Sequence, residues 1–337
     1  MTTHKTANIL DQHPALVKLL QTLPSMAGKT VAITGCTSGT GLNLAQRCGA
    51  LGAQVLMLNR ASSRSEAALR VMHREQFDAQ LIECDLSNLA SVRSAIQQVT
   101  DACPNGLDVL CNNAGIMAAP DQTTVDGFDV QMQSNHLSHF LLTSGVFPLL
   151  ERAVQVRGEA RVVNHSSGAR RGASLQARYL AKNADGLGGD GFPGLAKWRR
   201  YQQSKLANLL FTYSLHDAIG LQHPELAGKL KSLCAHPGPT QTELQAKTLA
   251  SGPISWLDRL IVRSIVKQAH SVEDGSMGIV GACCAPDVES LHFYGPVGRG
   301  RPGPAVLLPA ERNGRGEALV WERSMQSLGL ADFFASA

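Results

Sequence analysis

Val31-Ala-Ile-Thr34, running straight into Gly35-Cys-Thr-Ser-Gly39-Thr-Gly41, decides the architecture. The first four residues are small or β-branched and show no polar alternation, which suits a strand covered on both faces, as parallel strands are. The glycines let the backbone turn sharply, and Leu42–Leu51 then carries apolar residues at helical spacing. The same unit recurs. Short aliphatic runs at Gln54–Leu58, Gln80–Cys84, Leu107–Leu110, Arg161–His165 and Lys229–Ala235 alternate with helical patterns such as Ser87–Thr100 and Val125–Leu150. Repeated strand–helix alternation predicts a doubly wound α/β sheet with helices on both faces. Ligands in such sheets bind at the carboxyl ends of the strands, so the turns there are where chemistry is sought.

Composition narrows the class. The chain has 337 residues, 44% hydrophobic and 17% charged, with a net charge of +4. That balance is globular and gives no basic tail or patch for nucleic acid. No apolar stretch approaches the roughly 20 residues of a membrane span, and the first residues lack the pattern of a signal peptide. The eight cysteines form no paired CxxC units and no Cys/His zinc pattern, so no metal site is expected. Reduced thiols in a core fit a cytoplasmic compartment. The expected organisation is an N-terminal extension (1–27), one catalytic domain (28–310) and a C-terminal tail (311–337). Two segments interrupt the rhythm of the domain, an insertion at 169–200 and a candidate lid at 243–275.

The strand ends read as a dinucleotide site. In the first turn Gly35, Thr37, Ser38, Gly39, Thr40 and Gly41 would bring backbone amides and hydroxyls to a pyrophosphate at a helix N-terminus. The second strand ends Leu58-Asn59-Arg60. An acidic residue here would hold a ribose 2′-hydroxyl; Arg60 instead offers a planar cation suited to a 2′-phosphate, with Ser38, Ser62 and Arg64 as helpers. NADP(H) is therefore the expected cofactor. Asp85, followed by Leu86, closes the third strand and could accept from the adenine amino group or cap the helix near Asn88.

Six motifs, in order, resemble the short-chain dehydrogenase/reductase family. They are Thr34–Gly41, Asn112-Asn-Ala-Gly115, Ser134-Asn-His-Leu-Ser-His-Phe140, Val162-Val-Asn-His-Ser-Ser167, Tyr201-Gln-Gln-Ser-Lys205-Leu-Ala-Asn208, and His236-Pro-Gly238 followed by Thr242-Glu-Leu. The similarity is greatest to the branch that includes retinol dehydrogenases and related NADP-dependent reductases. The resemblance implies a single Rossmann-type domain with a mostly parallel seven-stranded sheet, and a hydride moved between nicotinamide and a carbonyl or alcohol carbon. It assigns Tyr201 as the acid–base residue, Lys205 as its partner and holder of the nicotinamide ribose, Ser167 as the hydrogen bond to the carbonyl, and Asn135 as the holder of a water on the proton path. Asn112, Ala114 and Gly115 would brace the sheet and lie against the cofactor; Pro237, Gly238, Thr240 and Thr242 would meet its nicotinamide end. A free tyrosine has a pKa of about 10. Tyr201 and Lys205 share a helical face, so the ammonium is expected to favour the phenolate. His165 departs from the family, which usually has an apolar residue there; His136 and His139 read as packing residues.

Rival functions are distinguishable. A hydrolase lacks its G-x-S-x-G elbow. A non-catalytic NADP-binding sensor would be expected to lose one of Asn135, Ser167, Tyr201 or Lys205. Reduction of an activated C=C bond shares the Tyr-xxx-Lys pair and stays open. Self-association as a homodimer or homotetramer, through the long helices after strands four and five, is expected by analogy. In the insertion, seven basic residues (Arg170, Arg171, Arg178, Lys182, Lys197, Arg199, Arg200) stand against Asp185 and Asp190, an excess of +5 that could greet an acidic substrate group. In 255–268, Leu257, Leu260, Ile261, Ser264 and Ile265 fall on one side and Asp258, Arg259, Arg263 and Lys267 on the other. That pattern predicts an amphipathic helix with its apolar face over a medium-to-large apolar substrate.

Overall fold

The computed structural model describes residues 13–191, 194–240, 256–267, 269–297 and 304–335. Strand β1 (Thr30–Thr34) lies at the centre of one sheet, buried along nearly its whole length. It pairs in parallel with β2 (Gln54–Asn59) on one side and β4 (Val109–Asn112) on the other. With β3 (Ala79–Glu83), β5 (Ala160–His165), β6 (Leu230–Ala235), β7 (Phe293–Pro296) and β8 (Ala305–Leu308), the order is β3-β2-β1-β4-β5-β6-β7-β8. The chain direction of build-up reverses between β1 and β4, the place where ligands bind in sheets of this kind, beyond the carboxyl ends of the strands.

The expected doubly wound α/β domain is present, with eight strands among the described residues where seven were expected. The extra strand is the edge strand β8, antiparallel to β7 through Phe293–Leu308 to Pro296–Ala305. Four residues flanked by prolines carry too little pattern to predict a strand, and proline, which cannot donate to a ladder, is tolerated mainly at edges.

Each face has its own hydrophobic cluster. On one face α2 (Gly39–Ala50), α3 (Ser63–Arg74) and α9 (Val272–Cys284) cover residues such as Ile33, Met57 and Leu233. On the other lie α4 (Leu89–Ala102), α5 (130–145), α6 (Phe147–Arg157) and α7 (Ala196–Gln222) over Ala32, Leu110 and Val162. Before β1, α1 (Pro14–Thr22) buries Leu16. Helix α5 starts at Val130–Met132, widens into a π turn at Gln133–Leu137 and continues as Ser138–Gly145. A π turn of this kind shifts side chains relative to a regular helix and often marks a functional position; here it carries Asn135. All eight cysteines are buried free thiols.

The segment read as a tail is part of the core. Helix α10 (Gly314–Leu328) packs along α7, and Phe333 and Phe334 are buried against Phe140 and Phe147. Burying a phenylalanine stabilises by about 1.5–3 kcal/mol. His136 is a packing residue: its ring stacks edge-on to Phe140 and Phe211, and its Nε2 meets Ser324 Oγ at 2.8 Å. The helices expected to carry self-association thus have a face already covered by the chain's own C-terminal residues. Among the described residues no helix is long and apolar enough to cross a membrane.

Candidate active site

The glycine turn is built for close approach. Gly35 (φ +76°) and Gly39 (φ +60°) sit in the left-handed region. A Cβ on Gly41 would lie 2.2 Å from Gly35 O and 2.4 Å from Asn113 Nδ2. Helix α2 begins at Ser38 without a side-chain cap, so its first amides are not claimed from that side. A dipole end of this kind attracts phosphate. Asn59 holds the turn by accepting from Cys36 N at 2.7 Å, and its own Nδ2 is buried without a partner. Thr37 is half-buried, whereas Thr40 is buried and donates to Asn113 Oδ1 at 3.0 Å. Arg60 is exposed at the end of β2, and beside it Arg64 Nη2 reaches Ser38 Oγ at 3.4 Å.

The remaining strand ends converge on the same crevice. Asp85 Oδ1 accepts from Ser87 N and Oγ, while the cap of α4 is Asn88 itself. Leu86 is half-buried, its carbonyl accepting from Ser138 Oγ. Asn112 Nδ2 ties β4 to β5 through Asn164 Oδ1 at 2.9 Å and to α5 through Thr143 Oγ1. Ala114 N donates to Thr34 Oγ1. Gly115 faces Lys205 and Asn135: a Cβ there would stand 3.0 Å from Lys205 Nζ and 3.2 Å from Asn135 Oδ1. Beyond β6, Pro237 O accepts from Thr240 Oγ1 and contacts His270 Nε2, and Gly238 (φ +69°) donates its N–H to His236 Nδ1. Thr242 lies outside the described residues.

Tyr201 and Lys205 lie on one face of α7 and are both buried. Burial pushes the Tyr201 phenol above its ordinary value, and the neighbouring Ser167 hydroxyl opposes this. Lys205 Nζ donates to His165 O at 2.9 Å, and burial pulls its ammonium down to about 8. Desolvation disfavours the charged form of both groups. Tyr201 is a neutral phenol, in the form that donates a proton. Asn135 uses its side chain within the protein: Oδ1 accepts from Ile116 N at 2.8 Å, and Nδ2 donates to Ile116 O and Ser204 Oγ. That amide braces the loop after β4 against α7.

The geometry adds residues that sequence reasoning missed. Asn113 locks the glycine turn by donating to Thr34 O at 2.8 Å and Gly35 O at 3.3 Å. Its signal was its place inside Asn112–Gly115. His139 links Thr34 Oγ1 (2.9 Å) to Asn135 O (2.9 Å). Trp198 packs on Met117, Ala118 and Tyr201, forming an apolar wall beside the reacting hydroxyls.

The insertion and the lid helix differ from expectation. Arg170 pairs with both oxygens of Glu311, Arg171 with the same carboxylate, Lys197 with Asp258, and Arg200 with Asp190. Four of the seven cations are therefore engaged within the protein; Arg170 and Arg171 share one carboxylate and Asp190 is already in the count, so Glu311 and Asp258 lower the excess from +5 to +3. Helix α8 (Trp256–Lys267) forms, with Arg259, Arg263 and Lys267 exposed as expected, but Asp258 is buried and Leu260 is 52% exposed, against the expected pattern. Asp258 accepts from Lys197 Nζ at 2.7 Å and Trp198 Nε1 at 2.8 Å. Charge-assisted bonds to a buried carboxylate outweigh the burial of one leucine, and they latch α8 to the start of α7. Residues 243–255 of the candidate lid, and the side chains of Leu257 and Ile265, lie outside the described set.

Comparison with known proteins agrees with this geometry. The short chain dehydrogenase family model matches residues 29–182. A short-chain dehydrogenase/reductase of Aspergillus calidoustus, drtF, is 30% identical over 91% of this chain and 95% of its own length. Human retinol dehydrogenase 12 is 34% identical over 90% of this chain and 88% of its own. The crystal structure of an uncharacterized protein from Mycobacterium paratuberculosis is 32% identical and superposes with a TM-score of 0.68, covering 92% of this chain and 97% of that one. With these matches and the ordered Ser167–Tyr201–Lys205 site, the chain belongs to the short-chain dehydrogenase/reductase family of NAD(P)-dependent oxidoreductases acting on carbonyl or alcohol groups.

Proposed function

We propose that the chain is an NADP(H)-dependent reductase of a medium-to-large apolar aldehyde or ketone, or equally a dehydrogenase of the matching alcohol. The observation that carries this is the Ser167–Tyr201 hydroxyl pair against an apolar wall of Trp198, Met117 and Ala118. The crevice suits a dinucleotide: no Cβ fits at Gly41, the start of α2 has no side-chain cap, and the Asn59 amide has an unused donor. When bound, the nicotinamide supplies or accepts the hydride. Ser167 donates a hydrogen bond to the substrate carbonyl oxygen and sets its position. Tyr201 gives that oxygen its proton in reduction and takes it back in oxidation. The Lys205 ammonium stabilises the phenolate left behind and reaches the side of the crevice where the nicotinamide ribose belongs.

The preference for a 2′-phosphate rests on Arg60 at the end of β2, with Arg64 and Ser38 adjoining. A charge-assisted contact contributes about 1.5–3 kcal/mol. Arg60→Ala is expected to weaken NADPH about tenfold to a hundredfold and to leave NADH almost unchanged, as read by fluorescence titration. Equal wild-type affinity for the two cofactors removes the role assigned to Arg60.

Substrate size is tested with straight-chain aldehydes and NADPH. Each methylene buried against Trp198 adds up to about 0.8 kcal/mol to transition-state binding, so kcat/KM climbs with chain length until the pocket is full. Trp198→Ala should flatten the climb. A wild-type kcat/KM that ignores chain length overturns the apolar pocket. Product identification from an enone in the same assay separates the two reductions: an allylic alcohol is expected, and a saturated ketone would establish C=C reduction instead.

A further inference from the structure

His165 is the residue in the crevice that the reaction does not use. It ends β5, and its ring is buried. Its protonation follows from its neighbours. Asn113 Nδ2 donates to Thr34 O and Gly35 O, so Asn113 Oδ1 is the atom turned to His165 Nδ1, at 3.0 Å. The same oxygen accepts from Thr40 Oγ1. An amide oxygen can only accept, so Nδ1 carries the proton. Burial, with the Lys205 cation and His236 nearby, pulls the ring down to about 3, so it is neutral. Nε2 is then a bare lone pair, and it is buried with no partner. Asn113, under the glycine turn, meets the ring itself; Lys205 Nζ donates to the His165 carbonyl, and His236, ahead of Pro237-Gly238, is near enough to act on the ring's charge.

We infer that His165 is a cofactor-binding residue, its Nε2 accepting a hydrogen bond from a donor on the nicotinamide half of the dinucleotide. An acceptor selects its ligand atom. Phosphate oxygens offer no proton at neutral pH and cannot satisfy Nε2, whereas a ribose hydroxyl or the carboxamide N–H can. A valine or isoleucine at this position would bury well but could not accept. The inference rests on the reading of a nicotinamide cofactor in this crevice.

The test uses the full-length chain, wild type and His165→Val, titrated calorimetrically with NADP+ and with its 3-acetylpyridine analogue, which lacks the carboxamide N–H. The valine variant should bind NADP+ about tenfold more weakly. If wild type prefers NADP+ over the analogue and the variant does not, the donor is the carboxamide. If the variant weakens both equally, the donor is a ribose hydroxyl. A second readout is taken on the wild-type chain with 15N-labelled histidine. The His165 Nε2 resonance, assigned by its loss in the variant, should start at the position of an unprotonated ring nitrogen and shift when NADP+ is added. Affinity in the variant within twofold of wild type, together with a resonance that does not move, overturns the inference and assigns Nε2 to a water at most. A wild-type chain that binds neither NADP+ nor NAD+ overturns the cofactor reading itself, and this inference with it.

Discussion

Replacing Tyr201 by phenylalanine is expected to lower turnover by about 10²–10⁴-fold while cofactor affinity stays within about twofold. The substitution deletes one hydroxyl and keeps the ring, so the packing against Trp198, Met117 and Ala118 survives. What is lost is the phenolic proton beside Ser167. Burial holds that phenol neutral, so in reduction it is ready to donate, and the lysine four residues on is placed to stabilise the resulting phenolate. The glycine turn, Asn59 and Arg60 are untouched, which is why binding should persist. Pre-steady-state NADPH oxidation separates chemistry from product release. A variant that keeps more than a tenth of wild-type turnover, with the chemical step limiting, places the proton donor elsewhere.

Arg200→Met is expected to lower the unfolding free energy by about 3–5 kcal/mol, the usual result of removing one partner from a buried ionic cluster. Arg200 is 1% exposed. Its Nη2 donates to Asp190 Oδ1 at 2.7 Å and its Nη1 to Gly188 O at 3.2 Å. Its Nε lies 3.3 Å from Asp129 Oδ2, near enough to attract but without the alignment of a hydrogen bond, so both atoms lack a bonded partner. Burial pushes the Asp129 carboxyl up to about 6, opposed by Met132 N–H and by Arg200. Between about pH 4 and 6 the folded carboxyl therefore holds a proton that the unfolded chain has released. Its contribution makes stability fall as pH rises through that window. Without Arg200 the carboxyl rises further, and the loss continues above pH 6. Urea unfolding should therefore show a smaller deficit for the methionine variant at pH 5 than at pH 8. A deficit under about 1 kcal/mol at pH 8, or one that ignores pH, would show that solvent compensates Asp129.

These expectations draw on different layers of information. The strand–helix alternation, the glycine turn and the Tyr201–Lys205 spacing were legible because each depends on local rules: periodicity, backbone freedom and the helical repeat. The doubly wound sheet and the placement of Ser167 beside Tyr201 follow from them, since parallel strands deliver their carboxyl ends to one edge. The edge strand β8 was not legible, because four residues between prolines carry too little pattern.

By itself, then, the sequence determined the class of fold, the glycine turn and the placing of Tyr201 and Lys205 on one helical face, each encoded within a few residues. Tertiary structure alone decided what burial does to them. Desolvation, which no spacing reports, keeps Tyr201 protonated and pulls Lys205 down to about 8. Contacts between residues far apart in the chain spent the cations of the insertion: Arg170 found Glu311, and Lys197 found Asp258. The same long-range pair turned α8 so that a carboxylate faces inward and Leu260 outward, against its hydrophobic pattern. Phe333 and Phe334 joined the core because they meet aromatic rings brought together only by the packing of α5, α6 and α10. Periodicity describes which side of an element is apolar; which side is buried depends on the partners that folding supplies.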